Sequence, residues 1–481
     1  MNYQEAIAYL QSFPDSERGL PGNKPTRHLK TPLSTMQLLL ASMGNPQNRT
    51  KTIHITGSKG KGSTATFITN ILQQAGFSTA LFTSPHLHSY TERFAFDLQP
   101  ISENEFAQGV TELQPFIQKF DEQGYALSTF SLLTALFFHL VSKAKPAIDW
   151  QIVEVGLGGQ DDATNVFSHK EAVVITPISL EHTAILGESR QVIATNKAGI
   201  ITPGCITILA AQNDPAVEKV ISAVCLKHGA DLITVSLASA ASATTASRSA
   251  TSTSISTSTL TSTPSPISGS ISTTTNISQP LKMAGDHQIA NALTAKTLAY
   301  ALAKKGHKIS DQDIERGLSC ATLPGRFEIF PIAPMRGVLP THTIVLDGAH
   351  NGDSANALAN TLKSVFPGKK ITFIIGVNQD KNLEDIWLSL KDIAANIIAT
   401  RSDSYRAMPP DSVKERILSC DAAATVCSTN NIDEAFVKAT ELTQASESRK
   451  DQNIICLCGS LYLVAEARTR LLNDQPSCAK K

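Results

Sequence analysis

Short apolar runs alternate along this chain with longer segments in which apolar positions return every three or four residues. The short runs read as strands at Lys51–Thr56, Ser78–Thr83, Asp149–Val155, Ala172–Ile178, Cys205–Ala210 and Asp231–Val235. Asp149–Val155 and Ala172–Ile178 are β-branched and lack polar alternation, as strands buried on both faces do. The periodic segments read as helices at Gly62–Ala75, Glu103–Phe120, Leu127–Ser142 and Pro215–His228. Strand and helix in alternation predict an α/β domain with a mainly parallel sheet.

The pattern then breaks. From Ser236 to Gln279, 26 of 44 residues are Ser or Thr and Arg248 is the only charge. So little apolar surface cannot offset the entropy of ordering, which predicts a disordered surface insertion whose removal leaves fold and activity unchanged. Periodicity resumes with a helix at His287–Lys304. A second α/β set follows, with strands at Thr343–Leu346, Lys370–Val377, Asn396–Thr400 and Asn453–Cys458. We expect two domains, 1–310 and 311–481.

Composition narrows the class. Lys plus Arg equals Asp plus Glu at 42 each, which argues against a protein that coats nucleic acid or is drawn to anionic membranes. No stretch reaches the roughly 20 apolar residues of a membrane span, and the N-terminus lacks the apolar core of a leader. Eight scattered cysteines without a CxxC pair read as small buried hydrophobes in a reducing compartment. These features predict a soluble cytoplasmic protein.

The chemistry starts at Ile53–Ser63, where an apolar run ends in the loop Gly57-Ser-Lys-Gly-Lys-Gly-Ser63 and a helical pattern follows. Glycines let backbone N–H groups close around phosphate oxygens, Lys61 adds a cation, and a helix N-terminus adds its dipole. Gly62 separates the lysine from Ser63, so the spacing departs from GxxxxGK[ST]. Glu154 ends the strand Asp149–Val155, just before Gly156, Gly158 and Gly159, where a carboxylate can reach a magnesium ion; the alternative is a solvated strand end. His182 follows the next strand, and ligands gather at the carboxyl ends of parallel strands. Magnesium prefers oxygen, so a histidine ligand would be atypical. Asn196-Lys197-Ala198-Gly199 has the outline of a guanine-reading NKxD motif, but Gly199 occupies the aspartate position. That argues against a GTP-dependent switch.

Eleven segments in order carry a resemblance to the folylpolyglutamate synthase/dihydrofolate synthase family, a branch of the Mur ligases. They include ITGSKGKGS, LFTSPHL, VEVGLGGQDDATN, ITPISLEHTAILG, KAGI, GDHQIANA, LPGRFE, LDGAHN, GVNQDK and GSLYLVAEAR, together with Arg-Phe after Glu92. They span about residue 26 to 470 apart from the insertion. The resemblance implies a P-loop ATPase domain and a smaller Rossmann-like α/β C-terminal domain. It implies an ATP-dependent ligase that joins L-glutamate to a folate through an acyl phosphate. Dihydropteroate as the acceptor, or another Mur-type amino-acid ligation, are the alternatives.

By matching positions, Gly60, Lys61, Gly62 and Ser63 would hold the triphosphate, and Asn291, Arg326 and Asp347 would contact the nucleotide. Ser84, Glu154 and His182 resemble the family's magnesium ligands, with two ions expected. Asp161, Asp162 and Ala163 resemble part of the pterin pocket, and His350 would act near phosphate or glutamate. Lys197 is similar to a lysine carried as a carbamate, with an unmodified lysine paired to phosphate as the alternative. Ligands from both domains would put the site in a cleft. A monomer is expected, with small-molecule substrates and no nucleic-acid or membrane partner. Four departures stand out: Ser58-Lys59 for Thr-Asn, Gln160 for arginine, Glu181 for aspartate, and Ser131 for glutamate.

Overall fold

The structure is a computed structural model that describes residues 1–15, 31–236, 257–258, 277–330, 342–444 and 454–473. Its contacts divide it into two units, Met1–Lys282 with Gln288–Ala321, and Met283–His287 with Thr322–Lys481.

The first unit is built on a nine-stranded sheet. Its strands are β1 (Lys51–Thr56), β2 (Thr79–Phe82), β3 (Phe94–Phe96), β4 (Gln99–Pro100), β5 (Trp150–Glu154), β6 (Ala172–Ile175), β7 (Ile206–Leu209), β8 (Asp231–Val235) and β9 (Thr257–Ser258). They lie in the order β4-β3-β2-β5-β1-β6-β7-β8-β9. From β2 to β8 the neighbours run parallel, while β3, β4 and β9 pair antiparallel at the two edges. Every residue of β2, β5, β6 and β7 is buried, as expected for strands covered on both faces. Phe82, Phe94, Phe106 and Phe137 pack together on one face of this sheet.

The helix Lys61–Gln74 leaves the carboxyl end of β1 and is buried from Ser63 to Leu72. It carries polar residues into the interior because they bond its own backbone. Thr66, Thr69 and Asn70 donate to the carbonyls four residues earlier, at 2.8 Å each. The helix Asp311–Cys320 packs across it so closely that a Cβ on Gly317 would lie 2.5 Å from the Ile71 Cα. That packing puts the division of contacts after Ala321, beyond the expected 310. The expected insertion 236–279 lies mostly outside the described residues.

The second unit has six strands: β10 (Glu328–Phe330), β11 (Thr343–Leu346), β12 (Ile371–Ile375), β13 (Ala394–Ala399), β14 (Val426–Ser428) and β15 (Ile454–Cys458). Their order is β10-β11-β15-β12-β13-β14, parallel except for β10. Among the described residues the cysteines are free thiols, and no helix is long and apolar enough to cross a membrane.

Candidate active site

Four adjacent strands bring the first unit's predicted residues to one edge of the sheet. In the order β2-β5-β1-β6, their carboxyl ends lead to Ser84, Glu154, the Gly57–Ser63 loop and the segment bearing His182. Parallel sheets bind ligands at that edge because helix N-termini and loop N–H groups converge there.

The loop is shaped for close approach. Gly57 has φ +142°, and a Cβ there would lie 1.9 Å from Thr176 Oγ1. Gly60 has φ +83° and caps the helix, and a Cβ there would lie 2.3 Å from Asn291 Oδ1. Asn291 is thus held against the loop, and its amide donates to Gln288 Oε1 at 3.1 Å. Lys61, Gly62 and Ser63 form the first turn of the helix, whose N–H groups have no preceding carbonyl to bond.

Lys61 Nζ donates to Gly57 O at 3.3 Å and lies 4.0 Å from Glu154 Oε1. Glu154 is buried, and its Oε2 accepts from the Ser84 N–H at 3.2 Å. Ser84 and Glu154 are therefore neighbours through a backbone bond. His182 stands at a left-handed φ of 46°, rare for a residue with a side chain. A carboxylate and a hydroxyl oxygen next to a glycine cradle suit a hard cation such as magnesium, and these residues fit both a triphosphate and its metal. Among the described residues, no three His, Cys, Asp or Glu side chains gather as a metal cluster.

Lys197 is almost wholly buried and donates to Gly57 O at 2.8 Å and to Glu181 Oε1 at 3.0 Å. Burial lowers its pKa to about 8 against the pull of Glu181. Burial also pushes the Glu181 carboxyl upward, but Lys197, Lys61 and a Ser58 hydrogen bond outweigh it and hold the group below its usual range.

The loop Gly156–Asn165 lies on the end of the Lys197 helix. The Gln160 N–H donates to Asn196 O at 2.9 Å, and a Cβ on Gly159 would lie 2.8 Å from Lys197 O. Asp161 is exposed. Asp162 is buried, with Oδ2 accepting from the Leu157 N–H and Oδ1 from both the Thr164 N–H and its hydroxyl. Its carboxylate thus pins the loop itself. Thr164 in turn accepts from His54 Nε2 at 2.8 Å, which sets the tautomer of that buried ring. Ala163 is buried among the aromatic core.

The remaining predicted residues belong to the second unit. Asp347 accepts from the Phe327 N–H at 2.8 Å and the Ala349 N–H at 2.9 Å. Burial raises its pKa against the pull of Arg326 and those bonds, and burial lowers that of His287 nearby. Phe327 has φ +47°, so the bond its N–H donates to Asp347 holds a strained backbone directly after Arg326. His350 Nδ1 donates to Gly348 O at 2.8 Å.

Gln212 escaped the sequence reading, and Ser58 was singled out there only as a departure from the family's loop, not for what it bonds. Ser58 exchanges hydrogen bonds with the Ser179 backbone, and Gln212 accepts from the Ile178 N–H. Only the position of Ser58 inside the glycine loop could have flagged that bonding.

Two family models match the chain, the Mur ligase middle domain over residues 55–299 and the dihydrofolate synthetase C-terminal domain over residues 337–471. The dihydrofolate synthase/folylpolyglutamate synthase of Bacillus subtilis is 30% identical over 92% of this chain and 95% of its own length. The folylpolyglutamate synthase of Lacticaseibacillus casei is 29% identical over 99% of this chain and 100% of its own. Among solved structures, the Mycobacterium tuberculosis folylpolyglutamate synthase complexed with ADP superposes with a TM-score of 0.77. It is 27% identical, with 97% of each chain covered.

Proposed function

The chain belongs to the dihydrofolate synthase/folylpolyglutamate synthase family of Mur ligases, and from that premise we propose that it is an ATP-dependent ligase joining L-glutamate to a folate or to its dihydropteroate precursor. One observation carries the reading: four neighbouring strands deliver a phosphate cradle, a buried carboxylate with a serine, and a histidine-bearing loop to one edge.

A carboxylate is a poor electrophile because it has no good leaving group. In the proposed reaction, an oxygen of the acceptor's carboxylate attacks the γ-phosphorus of ATP. The bond to the β,γ-bridging oxygen breaks, and ADP leaves with the electron pair. The amine of glutamate then attacks the acyl carbon and loses a proton as phosphate departs. Lys61 and the first-turn N–H groups would stabilise the negative charge on the transferring phosphoryl oxygens. Ser84, Glu154 and His182 would hold magnesium, which when bound supplies further positive charge against the phosphates.

Lys197 keeps two readings. Its lowered pKa eases the neutral amine that a carbamate requires, whereas its bonds to Gly57 O and Glu181 suit an ammonium. Asp161 is the exposed member of the pterin-side trio and Asp162 acts by holding the loop. Arg326, Asp347 and His350 are proposed as the second unit's nucleotide and glutamate contacts. We further propose that the enzyme is cytoplasmic and acts as a monomer.

The test is incubation with ATP, magnesium and radiolabelled glutamate against dihydropteroate, dihydrofolate and tetrahydrofolate. Label in the product of at least one acceptor, matched by ADP, is expected. Label with dihydropteroate alone would assign a dihydrofolate synthase, and no label with any acceptor contradicts the reading.

A further inference from the structure

The segment between β6 and the short helix Thr183–Leu186 carries Glu181 and His182, and His182 holds a left-handed backbone. A non-glycine residue in that region is costly and persists only where its surroundings fix it. Two side chains outside the proposed ligand set grip this segment from opposite flanks. Ser58, in the phosphate loop, donates from Oγ to Ser179 O at 3.2 Å and accepts from the Ser179 N–H at 3.0 Å. Its own N–H donates to Pro177 O at 2.9 Å. Gln212, just beyond β7, accepts from the Ile178 N–H at 2.9 Å, while its amide donates to Ala210 O at 2.7 Å. Ser58 is 7% exposed, so its hydroxyl has little water to fall back on.

We propose that Ser58 and Gln212 are positioning residues that clamp residues 177–179 to the phosphate loop and to β7, and so place the following His182 where it would hold the metal of the nucleotide. The clamp couples two strand ends. Phosphate enters against the β1 loop, the metal would be held from the β6 segment, and Ser58 sets the spacing between them. Threonine keeps the hydroxyl and can serve in its place; alanine cannot. Ser58 and Gln212 touch no reacting atom, so their loss is read in metal response and segment order rather than in the chemical step.

This inference rests on the ligase reading, but one arm of its test does not. Amide hydrogen exchange in the ligand-free protein, for wild type, Ser58→Ala, Ser58→Thr and Gln212→Ala, reads the clamp directly. Faster exchange at Ile178 and Ser179 is expected in both alanine variants, with β1 and β5 amides unchanged and wild-type protection in Ser58→Thr. In the second arm, Ser58→Ala and Gln212→Ala need about tenfold more magnesium for half-maximal turnover, as for other lost partners of a metal ligand. The kcat of Gln212→Ala, a residue outside the phosphate loop, stays close to wild type at saturating magnesium, and Ser58→Thr keeps the wild-type requirement. Unchanged exchange in the alanine variants, or a threonine variant as impaired as alanine, overturns the proposal. A wild-type protein without turnover would count against the ligase reading, leaving the exchange arm to decide on the clamp. Should Ser58→Ala not fold, Gln212→Ala tests the same segment.

Discussion

Lys61 is the residue on which the chemistry leans most. It sits in the first turn of a buried helix, 4.0 Å from Glu154, with Gly57 O as its hydrogen-bond acceptor. Lys61→Ala should lower ATP-dependent turnover by about two to three orders of magnitude with the fold intact, since it removes charge aimed at the transferring phosphoryl group. Near-normal turnover would refute that role. Gly60 gives a test of shape instead of charge. Its φ of +83° and the 2.3 Å approach of Asn291 leave no room for a Cβ. Gly60→Ala should weaken ADP binding, measured by calorimetry, by about tenfold or more, because strain of this kind exceeds about 1 kcal/mol. At this scale the sequence displayed the glycine loop and the strand-end Glu154 plainly, through spacing alone. It did not display Asp162 as a loop pin or Ser58 as a clamp. Both act on backbone groups that only the folded chain brings near, and hydroxyls and carboxylates look alike in a sequence whatever they bond.

Elements were legible where their patterns were long. The strand Lys51–Thr56 and the helix Pro215–His228 have the bounds expected from periodicity. The two-residue strands β4 and β9 were not visible, because such short edges carry no period. The helix Asp311–Cys320, just past the 310 expected from the sequence, groups by its contacts with the first unit. Its attachment depends on Gly317 nestling against the Ile71 backbone, a tertiary fact with no local signature. The paired helices Glu103–Glu122 and Thr129–Lys143 give a pH prediction. Glu112 accepts from His139 Nε2 at 2.7 Å and Lys143 Nζ at 2.6 Å. The Lys143 and His139 bonds lower its pKa to about 2. A carboxyl depressed in the folded state stabilises above its unfolded pKa, and that contribution is lost as pH falls from about 4.5 toward about 2. Solvent screening reduces it to about 1 kcal/mol. Glu112→Gln should therefore flatten the fall in urea stability across that acid window, and an unchanged slope would count against the pairing.

For the whole molecule, two α/β units and a Mur ligase relationship were readable because eleven short segments recur in order, and family models match most of the same span. The break between units was less readable, since no glycine- or proline-rich linker marks it and packing alone puts it after Ala321. The central claim concerns where the phosphoryl group goes. An acceptor folate whose γ-carboxylate carries oxygen-18 reports that directly when supplied with ATP, magnesium and glutamate. If an acceptor oxygen captures the γ-phosphoryl group before the amine attacks, one oxygen-18 leaves with each phosphate released. Product formed with unlabelled phosphate would contradict the account.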